Sequence, residues 1–329
     1  MKVLDMTRVK DEEIEQTRKI LDSSAELIIY GNLNEEEKKE AIESADIIIG
    51  GRLTDEQIKS SKNLKMHQTF GTGVDRHNTQ LIKENNILFC NNHSHSIVIA
   101  EYAFSMLNAV SKELYVNDKQ LRKGDWDYRK HPSVTLFNKT LLFIGYGKIA
   151  QHVKRMCSPF NMKFIAVKRT STIEDEDVKV FLPDDKLEAI KQADFILNTL
   201  PKTPNTINFV SEKEFAEMKP SAIIVNVGRG DTINDKAMYV ALKEKKILGA
   251  AIDVWYNYPK GRDPLEREPV PVYPSKYPFH ELDNIIMTAH RAWSTDYPWS
   301  EFSRTLIENV NKFIRGEKPD NIVNLDEGY

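Results

Sequence analysis

The chain has 329 residues, of which 40% are hydrophobic, so it can bury a substantial core and exceeds the usual size of a single domain. Its 46 cationic and 49 anionic side chains give a net charge of −3, which provides no extended positive surface for nucleic acid or an anionic membrane. No apolar run approaches the roughly 18 residues of a membrane span, the N-terminus lacks the apolar core of a signal peptide, and two cysteines are too few for a disulfide framework. These observations predict a two-domain cytoplasmic protein whose partner is a small molecule.

Short apolar runs alternate with charged amphipathic stretches along the chain, a pattern typical of repeated βα units around parallel sheets. Two series of such units are predicted, with a helix free of Gly and Pro over residues 97–122 between them and a last helix over residues 299–315. The predicted strands are 26–30, 46–50, 64–69 and 87–90 in the first series, and 141–144, 163–167, 194–198, 222–226, 249–253 and 284–288 in the second.

The tail after the last helix, which contains Asn321-Ile322-Val323-Asn324, is expected to pack back on the first domain. The sequence therefore predicts an α/β protein of two Rossmann-like or flavodoxin-like domains, with parallel sheets and an active-site cleft between them. Residues 1–98 and 297–329 are predicted to form a discontinuous substrate domain, and residues 99–296 a continuous cofactor domain.

A glycine-rich turn follows the predicted strand 141–144 and leads into a helix. Gly145 permits a tight turn, Gly147 lets backbone N–H groups approach phosphates, and Ala150 is small enough for close packing of helix on strand. The unit predicts a dinucleotide pyrophosphate site, to which Lys148 and Ile149 at the start of the helix also contribute.

The end of the next strand selects the cofactor, because an acidic side chain there would bind the ribose hydroxyls of NAD. This chain has Lys168-Arg169-Thr170, two cations and a hydroxyl that suit a 2′-phosphate. The sequence predicts NADP in preference to NAD, and NAD remains an alternative. The other interpretation of these residues is an exposed basic turn that binds no ligand. The acidic run that follows (residues 174–177) is interpreted as a solvated face.

Ligands of an open parallel sheet bind beyond the carboxyl ends of its strands. Arg229 follows one such end between two glycines, and its planar fork of donors suits a carboxylate and a polarised ketone. His290 follows another, and an ordinary imidazole pKa near 6.5 allows it to give and take a proton. The pair predicts reduction of a 2-oxo acid. Further cofactor contacts are predicted at Leu200, Pro201, Thr206, Val227, Gly228 and Asp253.

The ordered motifs resemble the D-isomer-specific 2-hydroxyacid dehydrogenase family over nearly the whole chain. They are Gly71-Thr72-Gly73-Val74-Asp75, Gly124-Asp125-Trp126, the glycine-rich turn, Leu200-Pro201-Lys202-Thr203, Met218-Lys219-Pro220, residues 226–230 and residues 250–255.

The resemblance implies that Arg229 is the catalytic arginine, that His290 is the acid/base, and that Asp253 lies near the nicotinamide carboxamide. It implies that the substrate carboxylate is received by backbone N–H groups of Gly71, Thr72 and Gly73 and by Arg52. It also implies a homodimer joined through the cofactor domains, with the predicted helix 97–122 at the contact.

The family places a glutamate before a proline shortly after the position of Asp253, and this carboxylate binds the catalytic imidazole. Here the pair is Tyr258-Pro259, so a neutral phenol is expected to orient His290 without stabilising the imidazolium. The alternative is that Glu266 or Glu268 of the proline-rich segment 259–280 supplies the carboxylate. That segment is interpreted as a lid, a subunit-contact arm or a surface insertion.

Three further features leave alternatives open. Trp293 either lines the substrate pocket or packs between domains, with packing favoured because Trp is mostly buried. His93-Ser94-His95 lacks partners with ligand spacing, so no metal site is predicted. The missing glutamate also leaves an NADP(H)-binding sensor on the same scaffold as the main rival to an enzyme, ahead of another Rossmann-type enzyme such as a methyltransferase.

Overall fold

The structure is a computed structural model, and it describes residues 1–7, 10–126, 133–171, 175–259, 271–296 and 299–329. The chain divides into two compact units, one formed by residues 1–95 and 296–329 and the other by residues 96–295. The boundaries predicted from the sequence lie after residues 98 and 296. The predicted and the observed division thus share one arrangement, in which a discontinuous unit encloses a continuous one.

The strands in chain order are β1 (Lys2–Asp5), β2 (Glu26–Ile29), β3 (Ile47–Ile49), β4 (Met66–Gln68), β5 (Leu88–Cys90), β6 (Thr140–Ile144), β7 (Lys163–Val167), β8 (Val178–Phe181), β9 (Phe195–Asn198), β10 (Ile223–Asn226), β11 (Gly249–Ile252) and β12 (Ile285–Met287). The helices are α1 (Asp11–Ile20), α2 (Glu35–Ser44), α3 (Asp55–Ser60), α4 (Thr79–Glu84), α5 (Ser96–Ser111), α6 (Leu114–Leu121), α7 (Lys148–Cys157), α8 (Lys186–Gln192), α9 (Glu212–Glu217), α10 (Asp235–Lys243) and α11 (Trp299–Ile314).

The first unit is built on a parallel sheet with the strand order β2-β1-β3-β4-β5, a flavodoxin-like order. Strand β1 lies between β2 and β3, although the sequence reading did not predict it. Helices cover both faces, with α11 packed against α1 and β4. Asn34 and Thr54 cap α2 and α3 by accepting the backbone N–H three residues on, which explains where these two helices begin.

The C-terminal tail returns to the first unit, as the sequence predicted. Ile322 forms an antiparallel bridge with Cys90, and the backbone N–H of Val323 donates to the carbonyl of Phe89 at 2.8 Å. Val323 is buried in the core of this unit. The tail therefore closes the sheet edge at β5, which would otherwise expose unpaired backbone groups.

The second unit has a parallel sheet with the order β12-β11-β10-β9-β6-β7-β8, the doubly wound order of a Rossmann fold. Its inner strands are buried along their whole length, as expected for a parallel sheet covered by helices on both faces. The order reverses between β6 and β9, which is where such sheets bind their ligands. Helix α5 packs against α7 and against strands β10 and β11.

The prediction of one continuous helix over residues 97–122 is wrong, because the chain forms two helices there, α5 and α6. Glu113 adopts a left-handed conformation with φ of 48°. The carbonyl of Ser111 accepts the N–H of Val134, and the side chain of Lys112 donates to the carbonyl of Val134. Helix α5 has a buried face, whereas α6 has no buried residue. Helices long and apolar enough to cross a membrane do not occur in the described parts of the chain.

Candidate active site

The glycine-rich turn joins β6 to α7 as the sequence predicted. Gly145 has φ of +86°, its N–H donates to the carbonyl of Val167 at 3.0 Å, and an added Cβ would approach Leu200 and Thr199 to 3.2 Å. Gly147 precedes α7 and caps it without a side chain, and a Cβ there would meet nothing within 4 Å. Lys148 is exposed at the first position of α7, whereas Ile149 is half-buried against the core. Open space thus lies before a positively polarised helix N-terminus.

Residues 168–170 follow β7 directly, next to this turn. The backbone N–H of Lys168 donates to the carbonyl of Phe181 at 3.1 Å, which continues the pairing of β7 with β8. Arg169 and Thr170 are exposed. The interpretation of the acidic run as a solvated face is wrong for Asp175, because this carboxylate accepts hydrogen bonds from Tyr146 and Lys154.

A buried polar network holds the loop that carries Arg229 (residues 226–232, the Arg229 loop). The Asn198 side chain donates to Asn226 Oδ1 at 2.9 Å and to Thr232 Oγ1 at 2.6 Å, and all three residues are buried. Thr232 Oγ1 donates in turn to the carbonyl of Arg229 at 2.6 Å, and Asn226 donates to the same carbonyl at 3.2 Å. The backbone of Arg229 is therefore fixed from inside the sheet, while its half-buried side chain donates from Nη1 to the carbonyl of Gly228.

The two glycines beside Arg229 are required by close backbone contacts. A Cβ at Gly228 would approach the carbonyl oxygen of Leu200 to 2.6 Å, and one at Gly230 would approach that of Trp255 to 2.3 Å. The Arg229 loop therefore packs between the segments that follow β9 and β11. Val227 is buried, and its N–H donates to the carbonyl of Asn198.

Asp253 anchors the loop that carries His290 (residues 288–293, the His290 loop). Its Oδ1 accepts from the hydroxyl of Thr288 at 2.6 Å and from the N–H of Arg291 at 2.9 Å, and its Oδ2 accepts from the N–H of Ala292 at 3.0 Å. Asp253 was predicted to contact the cofactor, and the structure gives this buried carboxylate three partners within the protein.

His290 itself is held in an uncommon conformation. Its φ is 51°, and its backbone N–H donates to the carbonyl of Asp253 at 2.7 Å. A left-handed conformation at a residue other than glycine costs ~1–3 kcal/mol and is found mainly where surrounding contacts enforce it, often at functional sites. For His290, the hydrogen bonds of residues 290–292 to Asp253 enforce this conformation.

Tyr258 meets His290, as the sequence predicted from its offset from Asp253. Its phenol oxygen lies 3.1 Å from Nδ1 of His290 and accepts the N–H of Trp255 at 3.0 Å. A phenol has one proton and two lone pairs, so this oxygen can accept from Trp255 and still either donate to Nδ1 or accept from it. Glu266 and Glu268, the alternative partners, lie outside the described residues.

The described part of the proline-rich segment, residues 271–280, packs against residues 255–257, which precede Tyr258. The carbonyl of Pro274 accepts the N–H groups of Tyr256 and Asn257 at 3.2 and 2.9 Å. The ring of Phe279 is fully buried and packs edge-on against Trp255 at a centroid distance of 5.7 Å. Residues 271–279 are therefore part of the packed unit.

Trp293 also belongs to the His290 loop. Its indole Nε1 donates to the carbonyl of His290 at 3.0 Å, and 52% of the residue is exposed. The indole is thus fixed relative to His290. Whether it lines the substrate pocket or packs between domains stays a prediction.

The predicted substrate-domain residues lie in the first unit. Gly50 and Gly51 have φ of 69° and 64°, turn the chain after β3 and lead to the exposed Arg52. The turn at residues 71–73 is fixed through its carbonyls. Gly71 O accepts from the N–H of Asn92, and Thr72 O accepts from the side chain of Asn91.

The remaining predicted positions have structural contacts of their own. Thr206 Oγ1 donates to the carbonyl of Pro201 at 2.7 Å and closes the turn after β9. The ring of His95 packs on Phe302 at a centroid distance of 4.0 Å. The described residues contain no cluster of three metal-binding side chains.

A model of the family described as D-isomer specific 2-hydroxyacid dehydrogenase, NAD binding domain, matches residues 104–292. This chain belongs to that family. It is 34% identical to D-3-phosphoglycerate dehydrogenase of Methanocaldococcus jannaschii over 96% of this chain and 59% of that protein. It is 31% identical to glyoxylate reductase of Pyrococcus furiosus over 69% of this chain and 66% of that protein. The chain thus spans about 59–66% of the length of these relatives.

Solved structures of similar fold cover nearly the whole chain of this family member. An acyclic imino acid reductase in complex with NADPH and D-Arg has a TM-score of 0.78 and 27% identity, over 98% of this chain and 100% of the other. A protein of Pyrococcus horikoshii has a TM-score of 0.79 at 24% identity over 98% of this chain and 95% of the other, which shows the fold.

Sequence reasoning missed the residues that hold the two loops. Asn198 reads as an ordinary strand-end residue, Thr232 as an ordinary loop residue, and Phe279 as one aromatic among prolines. A buried polar side chain at the carboxyl end of an apolar strand was the available signal for Asn198 and Asn226, because such a group must find partners near the site. Nothing in the sequence pointed to Phe279.

Proposed function

We propose that the protein is an NAD(P)-dependent oxidoreductase that interconverts a 2-oxo acid and a D-2-hydroxy acid. The observation that carries this proposal is that the Arg229 loop and the His290 loop are both fastened to the segment after β11, through the contact of Gly230 with Trp255 and the bonds of Asp253. The guanidinium of Arg229 and the imidazole of His290 thus belong to two loops that attach to one short segment at the carboxyl end of strand β11.

In this proposal Arg229 binds the substrate carboxylate and polarises the ketone, because its guanidinium offers parallel donors to charge that develops on oxygen. His290 donates a proton to the nascent alkoxide from Nε2, while Nδ1 faces Tyr258. Tyr258 holds the imidazole ring through its hydroxyl and adds no charge. In the oxidation direction His290 takes the proton back.

Residues of the second unit fit a dinucleotide. Gly147 leaves open space before α7, whose N–H groups suit a pyrophosphate, and Lys148 adds charge beside it. When bound, the nicotinamide would supply the hydride. Preference for NADP is supported by Lys168, Arg169 and Thr170 after β7, where an acidic residue would select NAD.

Residues of the first unit are proposed to contribute to substrate binding. Because Gly71 and Thr72 use their carbonyls to bind residues 91 and 92, the N–H groups of this turn suit a carboxylate, and Arg52 adds charge. The proposed substrate is small and anionic, and the proposal specifies no particular side chain for it.

Reduction of a 2-imino acid is a second candidate, because one contact of the His290 imidazole is the phenol oxygen of Tyr258, which brings no carboxylate charge to Nδ1. A protonated imine already carries the activating proton, so it accepts hydride at carbon without an imidazolium and becomes an amine. The similarity to an imino acid reductase supports this candidate.

The test is a spectrophotometric assay of purified protein with NADPH and a panel of glyoxylate, hydroxypyruvate, pyruvate and bulkier 2-oxo acids, with and without ammonium. Oxidation of NADPH without ammonium supports the ketone reductase. Turnover that requires ammonium and yields an amino acid supports the imine reductase. Tight NADPH binding with no turnover on any member overturns both and favours the sensor.

We also propose a homodimer joined through the second unit. Four large apolar side chains on and after α6 are more than half exposed: Leu114, Leu121, Trp126 and Phe137. Apolar surface of this kind is typical of subunit contacts. A dimer by light scattering that Leu121→Lys converts to monomer supports the proposal, and a wild-type monomer at micromolar concentration overturns it.

A further inference from the structure

The second residue of the glycine-rich turn, Tyr146, connects this turn to the chain beyond β7. Tyr146 is buried, and its ring packs edge-on against Phe143 of β6 at a centroid distance of 5.3 Å. Its hydroxyl donates to Oδ2 of Asp175 at 2.7 Å. Asp175 lies between β7 and β8, on the same connection as residues 168–170. One side chain therefore joins the proposed pyrophosphate turn to the connection that also carries the proposed 2′-phosphate segment.

Asp175 has a second partner on α7. Lys154 forms an ion pair with its Oδ1, and only 13% of the Lys154 side chain is exposed. Lys154 Nζ also lies 5.7 Å from the ring centroid of Phe164, which lies on β7. The carboxylate, the ammonium group and the phenol thus form a cluster built from three elements, the turn after β6, α7 and the connection after β7.

The protonation states of the cluster are consistent with these bonds. Burial acts to raise the pKa of Asp175, but the hydrogen bonds from Lys154 and Tyr146 outweigh it and lower that pKa below its ordinary value. Burial, and then the bond to Asp175, raise the pKa of the Tyr146 phenol. At neutral pH the carboxylate is therefore charged and the phenol is a donor.

An acidic side chain on this connection would oppose a 2′-phosphate by charge repulsion. Here the charge of Asp175 is compensated by Lys154, and its position is fixed by two donors. Lys154 Nζ also lies 3.5 Å from Oδ2 of the exposed Asp177, so its closer ion pair is the one with Asp175. Glu176 of the same acidic run is exposed.

We propose that Tyr146, Asp175 and Lys154 are positioning residues for NADP selectivity. They fasten the connection that carries Lys168, Arg169 and Thr170 to the pyrophosphate turn and compensate the charge of Asp175 on that connection. This inference rests on the proposed cofactor preference. None of the three residues takes part in hydride or proton transfer.

The test compares dissociation constants for NADPH and NADH, measured by calorimetric titration of the full chain without substrate. Tyr146→Phe keeps the buried ring and removes one donor, and Lys154→Met removes the compensating charge. Each variant is expected to weaken NADPH binding roughly three- to tenfold relative to NADH binding, because each loses a hydrogen bond to a charged group. Lys154→Arg is expected to keep the wild-type ratio.

Glu176→Gln is the matched control, since it removes an exposed charge from the same acidic run. Thermal melting of each variant shows that the ratio is measured on folded protein. The inference is overturned if Tyr146→Phe, melting as wild type, leaves the NADPH to NADH ratio unchanged, or if Glu176→Gln shifts it as much as Lys154→Met. A wild type that prefers NADH contradicts the proposed cofactor preference separately, because every variant is scored against the wild-type ratio.

Discussion

The phenol oxygen of Tyr258 lies 3.1 Å from Nδ1 of His290, and the backbone N–H of Trp255 donates to the same oxygen at 3.0 Å. The backbone bond fixes the oxygen, and the oxygen fixes the imidazole ring. Because the hydroxyl can either donate or accept, it accommodates both protonation states of the ring without movement of heavy atoms. A carboxylate would favour the protonated state alone.

Tyr258→Glu is expected to move the high-pH limb of the profile for reduction upward, because a carboxylate stabilises the imidazolium that donates the proton. Reduction requires this protonated form, so the rate falls as pH rises through its loss. Tyr258→Phe is expected to lower kcat/KM by about tenfold, since it removes the orienting bond. The measurement is kcat/KM for reduction from pH 5 to pH 10. Identical profiles for wild type and Tyr258→Glu would show that residue 258 does not act on the proton donor.

Thr232→Val is expected to raise KM for the oxo acid and lower kcat, with NADPH affinity unchanged within about twofold. The substitution keeps the shape but leaves an N–H of Asn198 and the carbonyl of Arg229 without their hydroxyl partner, at a cost of ~1–3 kcal/mol. Steady-state kinetics and calorimetric NADPH titration provide the measurement. Thr232→Ser retains the hydroxyl and should behave as wild type, and equal losses in both variants would contradict the role of the network.

Phe279→Ala is expected to reduce the free energy of unfolding by ~3–5 kcal/mol, because it empties a fully buried site against Trp255. Urea denaturation followed by tryptophan fluorescence measures this change. Leu182→Ala removes a side chain that is 42% exposed and should change stability by ~0.5 kcal/mol or less. Similar small effects from both variants would mean that residues 271–279 do not support the segment 255–258.

Both cysteines are expected to resist modification in the folded protein. Burial raises the pKa of Cys90 and of Cys157 to about 12, so the reactive thiolate is scarce at pH 8 and the sulfurs are inaccessible. Titration with a chromogenic disulfide reagent should find no rapid reaction in native protein and two thiols in guanidinium chloride. Rapid labelling of the native protein at either position would contradict the packing of its domain.

The fold was predictable where local chemistry dominates. Gly145 and Gly147 identify the turn between β6 and α7, and the uninterrupted apolar runs identify the inner strands. Strand β1 was not predicted, since four residues at a chain terminus carry little periodicity. The break at Glu113 was not predicted either, because a left-handed glutamate leaves no sequence signal and long-range bonds to Val134 enforce it.

The candidate site divides in the same way. Arg229, His290 and Tyr258 were identifiable from their positions after strands and from the resemblance. The anchoring by Asp253 was not identifiable, because its donors, the Thr288 hydroxyl and two backbone N–H groups, lie 35 to 39 residues away in the chain. The bond of Asp175 to Tyr146 was missed because a run of acidic residues resembles a solvated surface.

In the proposed reaction, Arg229 and His290 act together on one carbonyl group. The most direct test of this joint action is kcat/KM for NADPH-dependent reduction by Arg229→Lys and His290→Gln, with NADPH affinity measured on the same preparations. We predict that each variant loses at least about a hundredfold in kcat/KM while NADPH affinity changes by less than about threefold. Wild-type kcat/KM in either variant would contradict the joint action of Arg229 and His290.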